Sequence, residues 1–276
     1  MADRVAIVTG GASGIGRALA GALTARGDTV IVVDVAGARA KVAAEELTER
    51  GPGIAVAAEL DVRDPAAVET LVGAAYDDYG RLDLMVNNAG IAVGGSVDEL
   101  TLEHWNRTID VNLRGVVHGV HAAYPRMKER RSGQILNTAS LAGLTEPPMM
   151  APYVATKHAV VGLTLSLRAE AARHGVKVSV LCPGFVDTPL LDRVNPDLPQ
   201  TEAGRSARAT AVRIQRRLYP PGDLARDVLR GLDRNTAVIV TPTTARIAWY
   251  ANRYLPGMVR WLITAAGSRQ ARRMGY

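Results

Sequence analysis

The sequence predicts a doubly wound α/β fold, a three-layer sandwich with helices on both sides of a mostly parallel seven-stranded sheet. Seven short apolar runs rich in β-branched residues carry this reading: Val5–Thr9, Thr29–Val33, Ile54–Leu60, Leu82–Val86, Gln134–Thr138, Val176–Leu181 and Ala237–Val240. Alanine-rich segments with helical spacing separate them. Runs so apolar are expected to be buried on both faces, which calls for a parallel sheet with helices on each side, joined by right-handed crossovers.

A chain of 276 residues, 47% hydrophobic and 22% charged, can bury a sizeable core. Residues 1–240 are expected to form one domain, and no repeat or low-complexity block interrupts them. Residues 187–218, with Pro189, Pro196, Pro199 and Gly204, read as an insertion of loop and short helices after the sixth strand. In an open α/β sheet the ligand lies outside the carboxyl ends of the strands, so this insertion is expected to be a substrate lid.

The single cysteine, Cys182, allows no internal disulfide, and Met1–Arg4 runs into the first strand without a signal-like apolar core. The expected compartment is the cytoplasm. No run of eighteen apolar residues reads as a spanning helix. The net charge of +6 is carried by Arg246, Arg253, Arg260, Arg269, Arg272 and Arg273 in a tail without Asp or Glu. Without those six the basic and acidic residues are equal in number, so no nucleic-acid partner is expected.

The first strand runs into Thr9-Gly10-Gly11-Ala12-Ser13-Gly14-Ile15-Gly16, followed by a helical pattern over Arg17–Arg26. Glycines in such a turn let backbone approach a pyrophosphate at a helix N-terminus and let the helix pack against the strand. The order strand, glycine turn, helix makes this a Rossmann-type dinucleotide site. Asp34 ends the second strand, eighteen residues past Gly16, where its carboxylate can accept both hydroxyls of an adenine ribose. A 2′-phosphate there would meet a like charge, with no cation at Ser13 or Val35 to offset it, so NAD(H) is preferred over NADP(H). Arg17 and Arg39 stand near enough in sequence to weaken that preference.

These residues, with Asp61-Val62, Asn87-Asn88-Ala89-Gly90, Asn112, Ser140, Tyr153-x3-Lys157, Pro183-Gly184 and Thr188, resemble the short-chain dehydrogenase/reductase family from residue 4 to about 240. The resemblance implies an oxidoreductase that interconverts a secondary alcohol and a ketone. Tyr153 and Lys157, four apart, share one helix face. A free tyrosine has a pKa of about 10, and a neighbouring ammonium and an oxidised nicotinamide ring are expected to lower it. Tyr153 is then the general acid/base.

By resemblance Ser140 hydrogen-bonds the substrate oxygen and positions it. Asn112 is implied to bind a water that links Lys157 to solvent, and Lys157 also to hold the nicotinamide ribose. Asp61 and Val62 are implied to border the adenine, Asn88 and Gly90 to brace the strand ends beneath the cofactor, and Val186 and Thr188 to contact the carboxamide. Asn88 also reads as a tie between neighbouring strands. The family usually forms homodimers or homotetramers, and either is expected here.

His118 and His121 lack a third ligand at metal-site spacing, so no metal is expected. His158 adjoins Lys157 but points away from the Tyr153 face. Ser140 lacks the glycines of a nucleophile elbow, and Cys182 reads as a buried inert thiol.

Leu141–Pro152, with Leu144, Pro147, Pro148, Met149, Met150 and one charge at Glu146, is expected to border an apolar alcohol or ketone. The resemblance weakens after residue 240. Residues 241–276 read as a basic amphipathic extension, broken at Pro256-Gly257, with Arg246, Arg253 and Arg260 at seven-residue spacing and Trp249 and Trp261 on it. Its apolar face is expected to pack on the body or a sister subunit, with peripheral contact to an anionic membrane as the other reading. A non-catalytic NAD-binding regulator or membrane-associated scaffold is the rival function, and retention of both Tyr153 and Lys157 argues against it. Isomerase or dehydratase chemistry on the same fold stays open.

Overall fold

A computed structural model describes the backbone of residues 4–274 and the side chains of residues 4–265. The side chains of Arg269, Arg272 and Arg273 lie outside the described residues. Seven strands, β1 (Val5–Thr9), β2 (Thr29–Asp34), β3 (Ile54–Glu59), β4 (Leu84–Asn87), β5 (Gly133–Thr138), β6 (Val176–Pro183) and β7 (Val238–Thr241), form one sheet in the order β3-β2-β1-β4-β5-β6-β7. Every neighbouring pair is parallel, so the sheet is wholly rather than mostly parallel. Strand order reverses between β1 and β4, which opens a crevice at their carboxyl ends.

The period of two in β1 sets the layers. Ala6 and Val8 face a core completed by α1 (Gly14–Thr24), α2 (Gly37–Arg50) and, after the sixth strand, Leu224 and Val228. Val5 and Ile7 face the opposite core, with Val68 and Val72 from α3 (Pro65–Tyr79) and Ala122 and Met127 from the segment before β5. Helix α3 shows how locally the chain encodes its ends. The Asp64 carboxylate accepts from the N–H groups of Ala66 and Ala67 at 2.9 and 3.1 Å, Pro65 opens the first turn, and Gly80 closes the last at φ +69°.

Burial on both faces fails at β3. This edge strand leaves Ile54 and Val56 exposed, because only β2 pairs with it and helix α2 covers one side. Continuing the chain, α4 (Leu102–Ile109) and α5 (Gly115–Glu129) are joined by a π-helical turn over Asp110–Arg114, and α6 (Ala151–Ala171) precedes β6. After β6 come a short 3₁₀ turn at Pro189–Leu191, α7 (Glu202–Arg205), α8 (Ala207–Gln215) and α9 (Pro221–Asp233). Beyond β7 lie α10 (Thr243–Tyr254) and α11 (Pro256–Met274), separated at Leu255 as the Pro-Gly pair predicts.

Candidate active site

The crevice between β1 and β4 is floored by the glycine turn. Gly10 and Gly14 have φ of +64° and +53°, a left-handed backbone that costs most side chains energy. A Cβ on Gly16 would fall 2.1 Å from the Gly10 carbonyl oxygen, so only glycine lets α1 start this close to β1. A Cβ on Gly14 would sit 3.2 Å from the Thr188 side chain, which places the turn and Thr188 on facing walls of the crevice. Ser13 precedes α1 in extended conformation without capping it, and Ile15 packs against the core below.

Asp34 is buried at the end of β2, and its two carboxylate oxygens accept from Ala12 N–H at 3.3 Å and Ala36 N–H at 3.1 Å. It thereby ties the glycine turn to the turn after β2. Arg17, one of the two cations near in sequence, is ion-paired with Glu46. Arg39 is exposed in the first turn of α2. Farther along the crevice, Asp61 is bonded to Arg63, whose guanidinium holds the carboxyl below the usual range against the opposing effect of burial. Val62 is buried beneath Gly115, where a Cβ would clash with it at 2.8 Å.

Asn88 does tie the strands. Its amide donates to Thr9 O at 2.9 Å, and its backbone N–H donates to Thr9 Oγ1 at 2.9 Å. Thr9 Oγ1 also accepts from Ala89 N–H. Val186 buries its side chain in the core. Thr188 is also buried, and its carbonyl accepts from Arg208 of α8, which further binds Asp187 and Asp192.

At the carboxyl ends of β4 and β5 the structure brings Asn112, Ser140, Tyr153 and Lys157 together. Lys157 is buried, its Nζ donates to Thr138 O at 2.9 Å, and it lies 5.6 Å from the centre of the Tyr153 ring. Burial lowers its pKa to about 8, partly opposed by the nearby Cys182. The expected lowering of the Tyr153 pKa by Lys157 is not what the protein alone produces. Burial pushes the phenol up, and the group pulling it back is the Ser140 hydroxyl. Spacing showed that the two side chains share a face but not that both lose their water.

Ser140 Oγ accepts from Ala142 N–H at 3.1 Å at the start of a 3₁₀ turn over Leu141–Gly143, which fixes the hydroxyl at the end of β5. Cys182, fully buried on β6 beside this group, has its thiol pushed up to about 12 by burial and is chemically quiet at neutral pH. Asn112 sits in the π-helical turn, a feature absent from its sequence pattern. Its Oδ1 accepts from Ile91 N–H at 2.8 Å and its Nδ2 donates to Ile91 O at 3.0 Å, so the side chain holds the loop leaving β4. A Cβ on Gly90 would lie 3.1 Å from that Oδ1 and 3.5 Å from Lys157 Nζ, which shows how closely the two approach around Gly90.

Two residues that sequence reasoning missed close the opposite wall. Asn195 is fully buried at φ +54°; its Oδ1 accepts from Gly94 N–H at 3.0 Å and its Nδ2 donates to Gly94 O at 2.9 Å. Thr201 Oγ1 donates to the same carbonyl at 2.5 Å. The His104 ring bonds Pro199 O at 3.0 Å, and Leu198 packs with Val93 and Leu100. The chain after β6 is thus latched across the loop that follows β4. A polar Asn between Val194 and Pro196 was the available signal, but its partner lies about a hundred residues away.

Comparison with known proteins agrees with this geometry. The short chain dehydrogenase family model matches residues 4–199. A 3-alpha-(or 20-beta)-hydroxysteroid dehydrogenase of Mycobacterium tuberculosis is 39% identical over 209 residues, 76% of this chain and 79% of that protein. A solved short-chain dehydrogenase/reductase from Burkholderia phymatum in complex with NAD has a TM-score of 0.82 at 32% identity, covering 91% of this chain and 93% of the other. A short-chain dehydrogenase from Sphingobium yanoikuyae in complex with NADPH has a TM-score of 0.77 at 25% identity, covering 95% of each chain. The chain is a member of the short-chain dehydrogenase/reductase family, a nicotinamide-using oxidoreductase with a Rossmann-type fold.

Proposed function

We propose that this protein interconverts a secondary alcohol and a ketone with NAD(H), and that its substrate is apolar. The observation that carries the reaction is the grouping of half-buried Ser140 with buried Tyr153 and Lys157 at the strand ends, across the crevice from the glycine turn. Gly10, Ser13, Gly14, Ile15 and Gly16 would hold the pyrophosphate, and Asp34 the adenine ribose. Asp61 and Val62 would border the adenine, while Val186 and Thr188 would meet the carboxamide. The glycine cradle fits that group, since side chains at 10, 14 or 16 would be strained or would strike backbone and Thr188.

A bound nicotinamide would supply the hydride transfer, and its oxidised ring a positive charge. Ser140 positions the substrate oxygen. Tyr153 moves the proton: the phenol is the donor to a ketone oxygen, and burial, which raises its pKa, opposes the phenolate form. Alcohol oxidation needs the phenolate and gains with rising pH. Lys157 holds the nicotinamide ribose, and Asn112 and Gly90 shape the route by which a water relays its proton.

Support for NAD(H) over NADP(H) comes from the buried Asp34 carboxylate and the engagement of Arg17 by Glu46. Support for an apolar substrate comes from the half-buried Leu144, Pro147, Met149 and Met150, and from a relative whose name assigns it a hydroxysteroid. Residues 187–218 serve as the lid, and assembly is as a homodimer or homotetramer.

The test is Tyr153→Phe. NADH binding, followed by fluorescence quenching, should be unchanged, while turnover on apolar ketones falls by about 10²-fold or more. Undiminished turnover would assign the proton transfer to another group.

A further inference from the structure

The C-terminal extension leaves a surface that the catalytic domain does not use. Trp249 packs against the body, and Asn252 Nδ2 donates to Leu144 O at 3.0 Å. Arg260 lies 4.0 Å from Glu146. Both anchors fall on the Leu141–Pro152 loop that borders the catalytic group. Much of the remainder, among the described residues, is turned outward. Ile247, Tyr250, Tyr254, Leu255, Met258, Trp261 and Leu262 are all exposed, Tyr254 and Trp261 by 71% and 69%.

Charge decides what this surface fits. Arg246, Arg253 and Arg260 are exposed, and each is followed in sequence by an exposed large apolar residue: Ile247, Tyr254 and Trp261. No Asp or Glu occurs after Asp233. A second copy docked through this same face would bring together two arginine-bearing surfaces whose own helices carry no Asp or Glu, which like-charge repulsion opposes. An anionic lipid surface accepts the guanidinium groups among its phosphates and the aromatic and aliphatic groups at the headgroup boundary. No helix among the described residues is long and apolar enough to cross a membrane.

We infer that α10 and α11 dock this protein on an anionic membrane surface and hold the substrate loop against it. The benefit to an apolar alcohol or ketone, delivered from the lipid to the loop at Leu144, rests on the function proposed above; the docking itself does not.

The experiment is co-sedimentation of the full-length protein with vesicles of phosphatidylcholine alone and with added phosphatidylglycerol. The protein should pellet with the anionic vesicles only and be released by high salt. Each arginine near such a surface multiplies partitioning about fivefold, so Arg246→Gln with Arg253→Gln should weaken it about twenty-fivefold. Trp261→Ser should weaken it as well. All variants should keep wild-type turnover on a water-soluble alcohol, which separates loss of docking from loss of the enzyme. Failure to pellet with either vesicle, equal pelleting with both, or a fall in oligomeric mass in Trp261→Ser without vesicle binding overturns the inference.

Discussion

Replacing Lys157 with methionine should stabilise the protein at pH 7 while removing its turnover. Burial holds this ammonium at about 8 against 10.5 ordinarily. At about 1.4 kcal/mol per pKa unit, carrying the charge at pH 7 costs the folded protein roughly 3 kcal/mol. Methionine removes that cost and forfeits the bond to Thr138 O, worth roughly 1 kcal/mol, for a net gain of roughly 2 kcal/mol. The folded pKa lies below the unfolded one, so the unfolded chain binds the extra proton between about pH 8 and 10.5. Wild-type stability therefore rises with pH across that window, and the advantage of the variant should shrink to about zero by pH 10. Urea denaturation of both proteins at pH 7, 8.5 and 10 measures the gap, and comparison of the two cancels every other titrating group. A variant less stable than wild type at pH 7, or a gap that stays constant with pH, would refute the reasoning. The lysine would then be held by favourable contacts rather than at the expense of stability.

Two further outcomes follow from the crevice walls. Asp34→Ala removes the carboxylate that would bind the ribose and that orders the turn at Ala12 and Ala36. NADH affinity should fall at least about tenfold relative to NADPH, since hydrogen bonds to a charged group are worth roughly 1.5–3 kcal/mol each; titration with both cofactors reads the ratio, and an unchanged ratio contradicts the NAD(H) preference. Asn195→Ala leaves both backbone groups of Gly94 without this partner, a local cost of roughly 2–4 kcal/mol. Limited proteolysis should cut faster within residues 196–206 and KM should rise more than kcat falls, whereas cleavage at wild-type rate would show that the latch lies elsewhere.

Much of this architecture was legible in the sequence because it is encoded locally. The alternation in Val5–Thr9 fixes two faces of the sheet, the glycines at Gly10, Gly14 and Gly16 mark a turn where side chains would be strained or clash, and Tyr153 and Lys157 share a face by spacing alone. What the sequence hid depends on partners far along the chain. Asn195 and Thr201 act through Gly94, and Arg208 acts through Asp187, Thr188 and Asp192, pairings that no periodicity announces. The π-helical turn around Asn112 has no pattern distinct from an ordinary helix. The exposure of Ile54 and Val56 follows from β3 being an edge, a consequence of strand order rather than composition. The upward push on the Tyr153 phenol arises from burial, and burial of a group between loops is settled only when the loops are in place.

The central claim is that the crevice places a nicotinamide against a substrate carbon held by Ser140 and Tyr153. It is tested most directly by incubating the protein with NADH deuterated at C4, in each of the two stereochemical forms, and an apolar ketone, then weighing the alcohol by mass spectrometry. The account predicts one deuterium on the carbinol carbon from one of the two forms and none from the other, with that deuterated alcohol lost in Tyr153→Phe. Alcohol formed without deuterium from either form, or formed equally well by the variant, would contradict it.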